Sequence, residues 1–373
     1  MNTPSNFSNP LSIALDLVPM LIFLLYFLSY KLFTIIVKIS VKKNIIVSFI
    51  NRSAHTGWCT NLGGVIFYFG LVFSTSCYGS YFLLEFDPSF IRPLTAAVTV
   101  LFFVGLKDDL ISISNRNKIL GQLIAFTIMI FVSQLRLDSL GGILGLYQLP
   151  IVGSYLITYF AFFFILNAYN LSDGIDGLAA SIALLANLFF AMYFYVHHEF
   201  CQSVIAFTLI GILLAFLKFN FADRYKIIMG DSGSMVLGFV LCCQFLYFQS
   251  FNIALPDEIA IDNSFLYLFV LFSYPIVDTT RIFFIRIKQV RSPFSADKNH
   301  LHHALLAKGL SHGQATACIV VVTVVLLALA YAVRGLSINL GLPILIVMAY
   351  VLYTRVSLYK FPAIFFLKQT SDL

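Results

Sequence analysis

Long apolar stretches alternate with short polar breaks along almost the whole chain. We predict about eleven membrane-spanning helices, because roughly 20 consecutive apolar residues cross the hydrocarbon core of a bilayer. Polar breaks with Gly, Pro or Asp separate them, as at 85–93 and 251–263. The pattern predicts an all-α polytopic membrane protein, with residues 1–373 forming one integral membrane domain. The approximate cores of the predicted spans are 11–38, 62–84, 93–106, 119–135, 151–169, 178–196, 203–219, 234–250, 264–284, 316–333 and 337–354.

The composition agrees with a membrane protein and argues against a separate soluble domain. Of the 373 residues, 60% are hydrophobic and only 11% are charged, whereas a soluble domain carries roughly 25% charged residues. The first apolar run is too long for the core of a signal peptide, so we expect a retained first span. The six cysteines form no CxxC or zinc-binding spacing and most lie in apolar runs, which is typical of structural cysteines.

The basic residues are distributed unevenly over the loops between the predicted spans. All but three of the 23 lysines and arginines lie in one set of alternate loops, and the exceptions are Arg92, Arg136 and Arg334. In membrane proteins the cytoplasmic loops carry the excess of basic residues. We therefore predict an N-terminus outside the cell, a C-terminus in the cytoplasm and an odd number of spans between them.

Four polar clusters lie at the ends of predicted spans, and the charge pattern places all four on the cytoplasmic side. They occur in the segments GLKDDL, NAYNLSDGIDGLAA, IIMGDSGSMVLGF and SPFSADKNHLHH. Chance would distribute such clusters over both faces, so their convergence predicts a functional site. The candidate residues are, in chain order, Asp108, Asp109, Asn170, Asp173, Asp176, Asp231, His300, His302 and His303.

Carboxylates dominate three of these clusters. The neighbouring carboxylates of Asp108 and Asp109 repel each other unless a cation relieves the repulsion. Mg²⁺ prefers hard oxygen ligands, and it takes one or two carboxylates together with substrate phosphates. Glycines around Asp231 allow a close backbone approach at a helix start, where free amide groups attract anions. Two interpretations of Asp231 are open: a metal ligand beside a phosphate, and a simple helix N-cap.

The three histidines of HLHH lie in a loop that is rich in basic residues. Zinc binding is one interpretation, because histidine is a common zinc ligand. The other is an anion site, in which the imidazoles and the basic side chains hold a phosphate group. The surrounding positive charge, which includes Arg281, Arg286 and Arg291, favours the phosphate because it repels a metal ion.

Two other functional classes use acidic residues in membranes. A cation or solute transporter has its ionisable residues near the bilayer midplane. The predicted spans hold almost no charge apart from boundary residues such as Asp16 and Asp278. An intramembrane aspartyl protease needs two aspartates that face each other within helices, which five boundary aspartates together with HLHH do not match. We therefore predict an enzyme, with a transporter as the alternative.

The order DD, NxxNxxDGIDG, GDSGS and HLHH resembles the polyprenyl-phosphate N-acetylhexosaminyl-1-phosphate transferases (glycosyltransferase family 4) over about residues 52–314. SPFSADKNHLHH and DGIDG are more similar to the N-acetylglucosamine branch than to the related peptidoglycan translocase. The resemblance implies an eleven-span fold with a cytoplasmic active site that requires Mg²⁺, with Mn²⁺ as a substitute. It also implies that undecaprenyl phosphate attacks the β-phosphorus of a UDP-N-acetylhexosamine, so that UMP leaves.

The same resemblance implies a role for each matched residue. Asp108 and Asp109 correspond to catalytic residues near the acceptor phosphate, and Asp231 and Asn170 correspond to the ligands of the metal. The remaining matched residues are expected to bind the substrates, with the aspartates on the nucleotide and the histidines on the diphosphate or sugar. These substrate-binding residues are Asp173, Asp176, His300, His302, His303 and, in the first cytoplasmic motif, Arg52 and His55.

Two positions depart from the pattern of these transferases. The first cytoplasmic motif usually has a proline before its glycine pair, and here the segment reads TGWCTNLGG, which ends in Gly63 and Gly64. Relatives often carry an aromatic residue three positions before the metal aspartate, where it stacks on uracil, and this position is Ile228. A stacking ring must then come from elsewhere, and the candidates are Phe219, Phe221 and Tyr225.

From the resemblance we expect a multi-pass enzyme of the bacterial inner membrane. No nucleic-acid partner is expected, and the sequence leaves the oligomeric state open, with a homodimer in the bilayer as one arrangement. Its substrates would be a UDP-N-acetylhexosamine and undecaprenyl phosphate. N-acetylglucosamine is the expected sugar; N-acetylgalactosamine, N-acetylfucosamine and N-acetylquinovosamine are the alternatives. The product would start a cell-surface polysaccharide such as O-antigen, enterobacterial common antigen or a teichoic acid linkage unit.

Overall fold

A computed structural model describes residues 18–43, 45, 58–81, 88–290 and 299–359, so that Arg52 and His55 lie outside the described residues. Most of the described chain is helical, and it also contains two short strands. The helices are α1 (Leu21–Lys43), α2 (Gly64–Tyr81), α3 (Pro88–Ile111), α4 (Asn115–Val132), α5 (Ile151–Leu171), α6 (Leu178–Val196), α7 (Phe200–Asn220), α8 (Gly230–Ala254), α9 (Ser264–Leu271), α10 (Ser273–Lys288), α11 (Leu301–Leu306), α12 (His312–Val333) and α13 (Ile338–Leu358). The strands are β1 (Trp58–Thr60) and β2 (Tyr225–Ile227).

The chain divides into two compact units. The first comprises Met1–Gln134 and Ala183–Gln244, and the second comprises Leu135–Ile182 and Phe245–Leu373. The carboxylates of GLKDDL and GDSGS belong to the first unit. Those of DGIDG belong to the second unit, together with the histidines. The prediction of a single integral membrane domain stays a prediction.

Helix α7 forms the core of the first unit. It is apolar on all sides and almost wholly buried, as expected of a helix that packs on several neighbours. Both α1 and α2 pack against it, and the ring of Phe216 lies 5.9 Å from Phe33 of α1 and 5.3 Å from Phe67 of α2, measured between centroids. Helix α3 packs along α4. These contacts place the end of α3 beside the start of α4.

The strands pair in parallel, which the all-α prediction did not include. Trp58 is paired with Tyr225 and Thr60 with Ile227. The pairing continues beyond β1, because the backbone N–H of Gly64 donates a hydrogen bond to the backbone oxygen of Met229 at 3.0 Å. The strands therefore bring the glycine pair of the first cytoplasmic motif beside the residues that precede GDSGS.

In the second unit, α9 packs against α12 and α13, and α10 packs against α5. The helices α9 and α10 meet at a bend of 66°. Pro275 explains the break, because a proline ring clashes with the carbonyl group four residues earlier, which belongs to Leu271 at the end of α9. The predicted span 264–284 is therefore a broken helix.

The described helices confirm an all-α polytopic membrane protein. Eight of them are long and apolar enough to cross a membrane, or nine if the bent pair counts as one span. The predicted spans 62–84 and 119–135 coincide with α2 and α4, which are not among these, and the apolar part of α2 covers only Gly64–Cys77. The number eleven and the sidedness of the loops stay predictions.

Candidate functional site

Asp109, in the last turn of α3, holds the start of α8. Its Oδ1 accepts a hydrogen bond from the backbone N–H of Asp231 at 2.8 Å. Its Oδ2 accepts hydrogen bonds from the backbone N–H of Ser232 at 2.9 Å and from the Ser232 hydroxyl at 2.6 Å. The first N–H groups of a helix have no partner within the helix, and this carboxylate satisfies two of them. The contacts of Asp109 therefore position GDSGS.

Gly230 makes this approach possible. Its φ of 71° lies in the left-handed region that favours glycine. A Cβ atom at this position would lie 2.7 and 2.8 Å from the carboxylate oxygens of Asp109 and closer still to the backbone oxygen of Asn61. The amide group of Asn61 in turn donates a hydrogen bond to the backbone oxygen of Asp109 at 2.8 Å. The predicted close backbone approach beside Asp231 is confirmed.

Asp108 has different partners, because successive side chains on a helix point about 100° apart. Its Oδ1 accepts a hydrogen bond from the backbone N–H of Ile113 at 2.8 Å, and its Oδ2 lies 3.2 Å from Nζ of Lys118. The same ammonium group forms an ion pair with Oδ1 of Asp231. The side chains of Asp108 and Lys118 are 15% and 18% exposed, so solvent screens this pair less than a surface pair.

The carboxylates of Asp108 and Asp231 thus converge on a single positive charge, the ammonium group of Lys118. Carboxylate oxygens are also the ligands that Mg²⁺ prefers, and one or two of them are the usual protein contribution. The oxygen donors are of the type that Mg²⁺ takes, but the ammonium group of Lys118 contacts both carboxylates, so a divalent cation bound between them would have to displace it. The metal roles of Asp231 and Asn170 and the catalytic roles of Asp108 and Asp109 stay predictions.

The three aromatic residues proposed for stacking on uracil differ in exposure. Phe219 packs against α1, with its ring centroid 5.2 Å from that of Tyr30 and 5.5 Å from that of Phe33. Phe221 and Tyr225 are 44% and 40% exposed. Phe219 is half-buried, so Phe221 and Tyr225 are the more accessible of the three rings, and the stacking role stays a prediction.

In the second unit, Asn170 lies in the last turn of α5, and Asp173 and Asp176 lie in the loop between α5 and α6. All three residues are half-buried. Oδ2 of Asp176 lies 2.8 Å from Nδ1 of His312, at the start of α12. The hydroxyl of Thr316 donates a hydrogen bond to the backbone oxygen of Asp176 at 2.9 Å. The first turns of α12 therefore fix the position of Asp176.

His302 packs directly on the loop between α5 and α6. A Cβ atom at Gly174 would lie 3.0 Å from Cε1 of His302 and closer still to its Nε2. His302 is 1% exposed, and its Nδ1 lies 2.9 Å from the hydroxyl oxygen of Tyr274. Burial lowers the pKa of His302 to about 3, so the ring is neutral at pH 7. Among the described residues, its Nε2 has no hydrogen-bond partner.

His300 has a charged partner instead. Its Nδ1 lies 2.7 Å from Oδ2 of Asp278, a buried residue of α10. Potential ligand atoms of Asp278, His300 and His302 lie within 4.8 Å of one another. His303 is half-buried, and its ring centroid lies 4.4 Å from that of His302. The histidines of HLHH therefore form one group with unequal surroundings, and their substrate-binding roles stay predictions.

Known proteins are similar to this chain over most of its length. A family model described as glycosyl transferase family 4 matches residues 91–249. The decaprenyl-phosphate N-acetylglucosaminephosphotransferase of Mycobacterium tuberculosis (strain CDC 1551 / Oshkosh) is 31% identical over 290 residues, which cover 70% of this chain and 69% of that protein. The chain belongs to glycosyl transferase family 4.

Two further relatives share the name undecaprenyl-phosphate alpha-N-acetylglucosaminyl 1-phosphate transferase. The protein of Escherichia coli (strain K12) is 26% identical over 312 residues, or 82% of this chain and 80% of that protein. The protein of Yersinia pestis is 28% identical over 283 residues, or 74% of each chain. The resemblance inferred from the motifs is therefore confirmed at the level of glycosyl transferase family 4.

The matched part of the glycosyl transferase family 4 model contains all the predicted acidic residues, from Asp108 to Asp231, and ends before HLHH. Among the residues that contact the predicted ones and that the sequence does not single out as site residues are three ionisable side chains, those of Lys118, Asp278 and His312. The charge pattern makes Lys118 one of many cytoplasmic basic residues and Asp278 an isolated boundary carboxylate. The sequence contains a signal for two of these residues. Lys118 lies at the start of an apolar helix, and Asp278 lies within a predicted span, where the burial of an aspartate is costly.

Proposed function

We propose that this multi-pass membrane protein transfers N-acetylglucosamine-1-phosphate from its UDP-sugar to undecaprenyl phosphate. The names of the similar proteins support the proposal for both the transferred group and the class of acceptor. The observation that carries the proposal is the convergence of Asp108 and Asp231 on Lys118, because a charged cluster of this kind suits phosphate chemistry. The site would face the cytoplasm of a bacterial inner membrane, and the product would start a cell-surface polysaccharide.

The proposed reaction exchanges one bond at the β-phosphorus of the donor. An oxygen of the acceptor phosphate forms a bond to this phosphorus, and the bond to the bridging oxygen of UMP breaks, so that UMP leaves with the electron pair. The acceptor phosphate has a second pKa near 6 and is largely dianionic at pH 7. A strong general base is therefore not required, and positioning with charge neutralisation supplies most of the catalysis.

The contacts in the first unit suggest separate tasks for its residues. Asp231 would hold Mg²⁺, which when bound neutralises charge on the phosphate oxygens. Lys118 contributes a further positive charge beside the carboxylates of Asp231 and Asp108. Asp108 is the candidate for orienting the acceptor, since the N–H of Ile113 fixes one of its oxygens. Asp109 keeps the start of α8 in place.

Two routes are compatible with these residues. In a single displacement the acceptor attacks the donor directly. In a double displacement an aspartate first attacks the β-phosphorus, UMP leaves, and the enzyme carries N-acetylglucosamine-1-phosphate until the acceptor phosphate displaces the aspartate. Incubation without acceptor, with UDP-N-acetylglucosamine radiolabelled in the sugar, separates the routes, because only the double displacement leaves the labelled sugar phosphate on the protein.

The decisive experiment uses purified protein with undecaprenyl phosphate and a panel of UDP-sugars. We expect multiple-turnover UMP release that requires both substrates and is fastest with UDP-N-acetylglucosamine. UMP release without a polyprenyl phosphate that continues beyond one equivalent of enzyme would contradict the proposed reaction. A lack of UMP release with every UDP-sugar, in protein that is folded, would also contradict it and would favour the transporter.

The proposed metal requirement is tested by removing divalent cations. We expect EDTA to stop UMP release, and an excess of MgCl₂ or MnCl₂ to restore it. A matched sample with EDTA already saturated by Ca²⁺ controls for effects of EDTA other than the removal of divalent cations. Full activity in EDTA would reject the metal role of Asp231.

A further inference from the structure

One face of α10 contacts the segment that begins the histidine motif. Tyr274, Asp278 and Arg281 are spaced four and three residues apart, so their side chains lie on the same side of the helix. The Tyr274 hydroxyl oxygen lies 2.9 Å from Nδ1 of His302. Arg281 donates a hydrogen bond to the backbone oxygen of Asn299. Asp278, between them, contacts His300.

Asp278 is the centre of this arrangement. It is 3% exposed, and a buried carboxylate is costly unless it is paired and hydrogen-bonded. Its Oδ2 lies 2.7 Å from Nδ1 of His300, and its Oδ1 accepts a hydrogen bond from the backbone N–H of Leu301 at 2.9 Å. The guanidinium group of Arg281 lies 3.5 Å from Oδ1. One side chain thus fixes both the ring of His300 and the backbone directly after it.

A metal ion bound by Asp278, His300 and His302 fits these contacts less well. Both oxygens of Asp278 already accept hydrogen bonds, and the charge of Arg281 beside them repels a cation. The Nδ1 atom of His302 is occupied by Tyr274, and its Nε2 packs against Gly174. The cluster is therefore better explained as a hydrogen-bonded support for the histidine motif.

The bond to Asp278 also decides which nitrogen of His300 is available. When a carboxylate accepts the Nδ1–H hydrogen bond of an imidazole, it fixes the orientation of the ring and the nitrogen that carries that proton. Nε2 is then the only ring nitrogen left for another partner. His302 has no comparable freedom, because burial keeps it neutral and its Nε2 faces Gly174.

We propose that Asp278 is a positioning residue of the transferase, which orients His300 so that Nε2 is presented to a phosphate group of the UDP-sugar. This inference rests on the function proposed above. Asp278 acts through His300 and does not itself touch the donor. Its loss should therefore weaken donor binding, leave acceptor binding unchanged, and have no effect on the donor once His300 is also replaced.

A double-mutant cycle tests this inference. Wild type, Asp278→Asn, His300→Gln and the double variant are assayed for UMP release with each substrate varied in turn. We expect Asp278→Asn to raise the KM for UDP-N-acetylglucosamine roughly tenfold, the loss of about one charge-assisted hydrogen bond. The KM for undecaprenyl phosphate should stay within about twofold. In the His300→Gln background, Asp278→Asn should cause no further change.

Asp262→Asn is the matched control, because it removes the same charge from an exposed residue of the same unit. An equal rise of the donor KM in the wild-type and His300→Gln backgrounds would overturn the inference. A rise of the KM for undecaprenyl phosphate in Asp278→Asn as large as the rise of the KM for the donor would also overturn it. Absence of turnover in the folded wild type would instead reject the proposed function, so the two failures are distinguishable.

A second pair of variants keeps the inference falsifiable if Asp278→Asn does not fold. In His300→Asn the side-chain amide nitrogen takes the position of Nδ1 and keeps the hydrogen bond to Asp278. In His300→Gln the side-chain amide nitrogen takes the position of Nε2 instead. We expect His300→Asn to keep the wild-type Tm and to lose donor affinity by more than His300→Gln does. A donor KM in His300→Asn that equals the wild-type value would overturn the inference.

Discussion

At the scale of single residues, Lys118 forms ion pairs with two carboxylates and so offsets their mutual repulsion. Asp108 lies ten positions before it, and Asp231 lies on a different helix, yet both contact its ammonium group. Without this positive charge the two carboxylates would repel each other in a partly buried place. Lys118 is therefore as much a part of the candidate site as the aspartates.

We predict that Lys118→Met lowers kcat at least tenfold, which corresponds to about 1.4 kcal/mol. Lys118→Arg should retain more activity than Lys118→Met because it keeps the positive charge. Its planar guanidinium group does not reproduce the contacts of the ammonium group with both carboxylates, so some activity is lost. Initial rates of UMP release at saturating substrates measure the effect. Arg116→Met is the control, because Arg116 is an exposed residue of the same helix. Equal losses in Lys118→Met and Arg116→Met would contradict a specific role for Lys118.

Substitution of Asp108 and substitution of Asp109 should give two different phenotypes. Asp108→Asn should abolish most activity at nearly unchanged Tm. Asp109→Asn should lower the stability of the fold by about 1–3 kcal/mol, because the amide cannot accept all the hydrogen bonds from Asp231 and Ser232. Thermal unfolding followed by tryptophan and tyrosine fluorescence, together with UMP release, gives both readouts. A Tm of Asp109→Asn that equals that of Asp108→Asn would refute this division.

At the scale of elements, loops are held by contacts with residues far away in the chain. The loop between α5 and α6 is fixed by α12 through Asp176 and packs on α11 through Gly174 and His302. The apolar helices on either side do not determine the shape of this loop. Its acidic side chains are therefore placed by elements that lie more than a hundred residues later.

Gly174→Ala tests this packing. We expect the added methyl group to displace His302 and to lower both Tm and kcat, because protein interiors tolerate little extra volume. Gly335→Ala is the matched control in the same unit, since an added Cβ atom at Gly335 meets nothing within 4 Å. The second change His302→Ala should partly restore the Tm of Gly174→Ala. Equal Tm values for Gly174→Ala and Gly335→Ala would argue against the contact.

At the scale of the whole molecule, each unit carries its own polar cluster. Lys118 and three carboxylates belong to the first unit, and the histidines with their supporting residues belong to the second. Eight or nine described helices are suitable membrane spans, which agrees with a polytopic protein. The excess of basic residues predicts which loops face the cytoplasm.

Cysteine labelling tests this sidedness in intact cells. Ala307→Cys lies in a loop that is predicted to be cytoplasmic, and Ser337→Cys lies in one that is predicted to be external; both positions are exposed. In a variant without the native cysteines, a membrane-impermeant maleimide should label Ser337→Cys directly and Ala307→Cys only after permeabilisation. The reverse pattern would invert the predicted topology and move the histidines to the external face.

The sequence by itself determined the helices, because a long apolar run has one stable state in a membrane and its ends are marked by local polar residues. It also identified the acidic and histidine clusters, since charge at the end of an apolar run is costly and visible. Even so, α3 extends to Ile111, beyond the predicted end at 106, so that the acidic pair lies within a helix.

Only the tertiary structure decided how these residues are paired. Asp109 reaches Asp231 across 122 positions, β1 pairs with β2 through a crossover, and Asp278 meets His300 beyond the end of its own helix. Such contacts depend on how whole helices pack, and no local pattern of apolar and polar residues encodes them. Asp108 contacts the ammonium group of Lys118, whereas Asp109 binds the start of α8. This difference between two neighbouring residues therefore follows from packing alone.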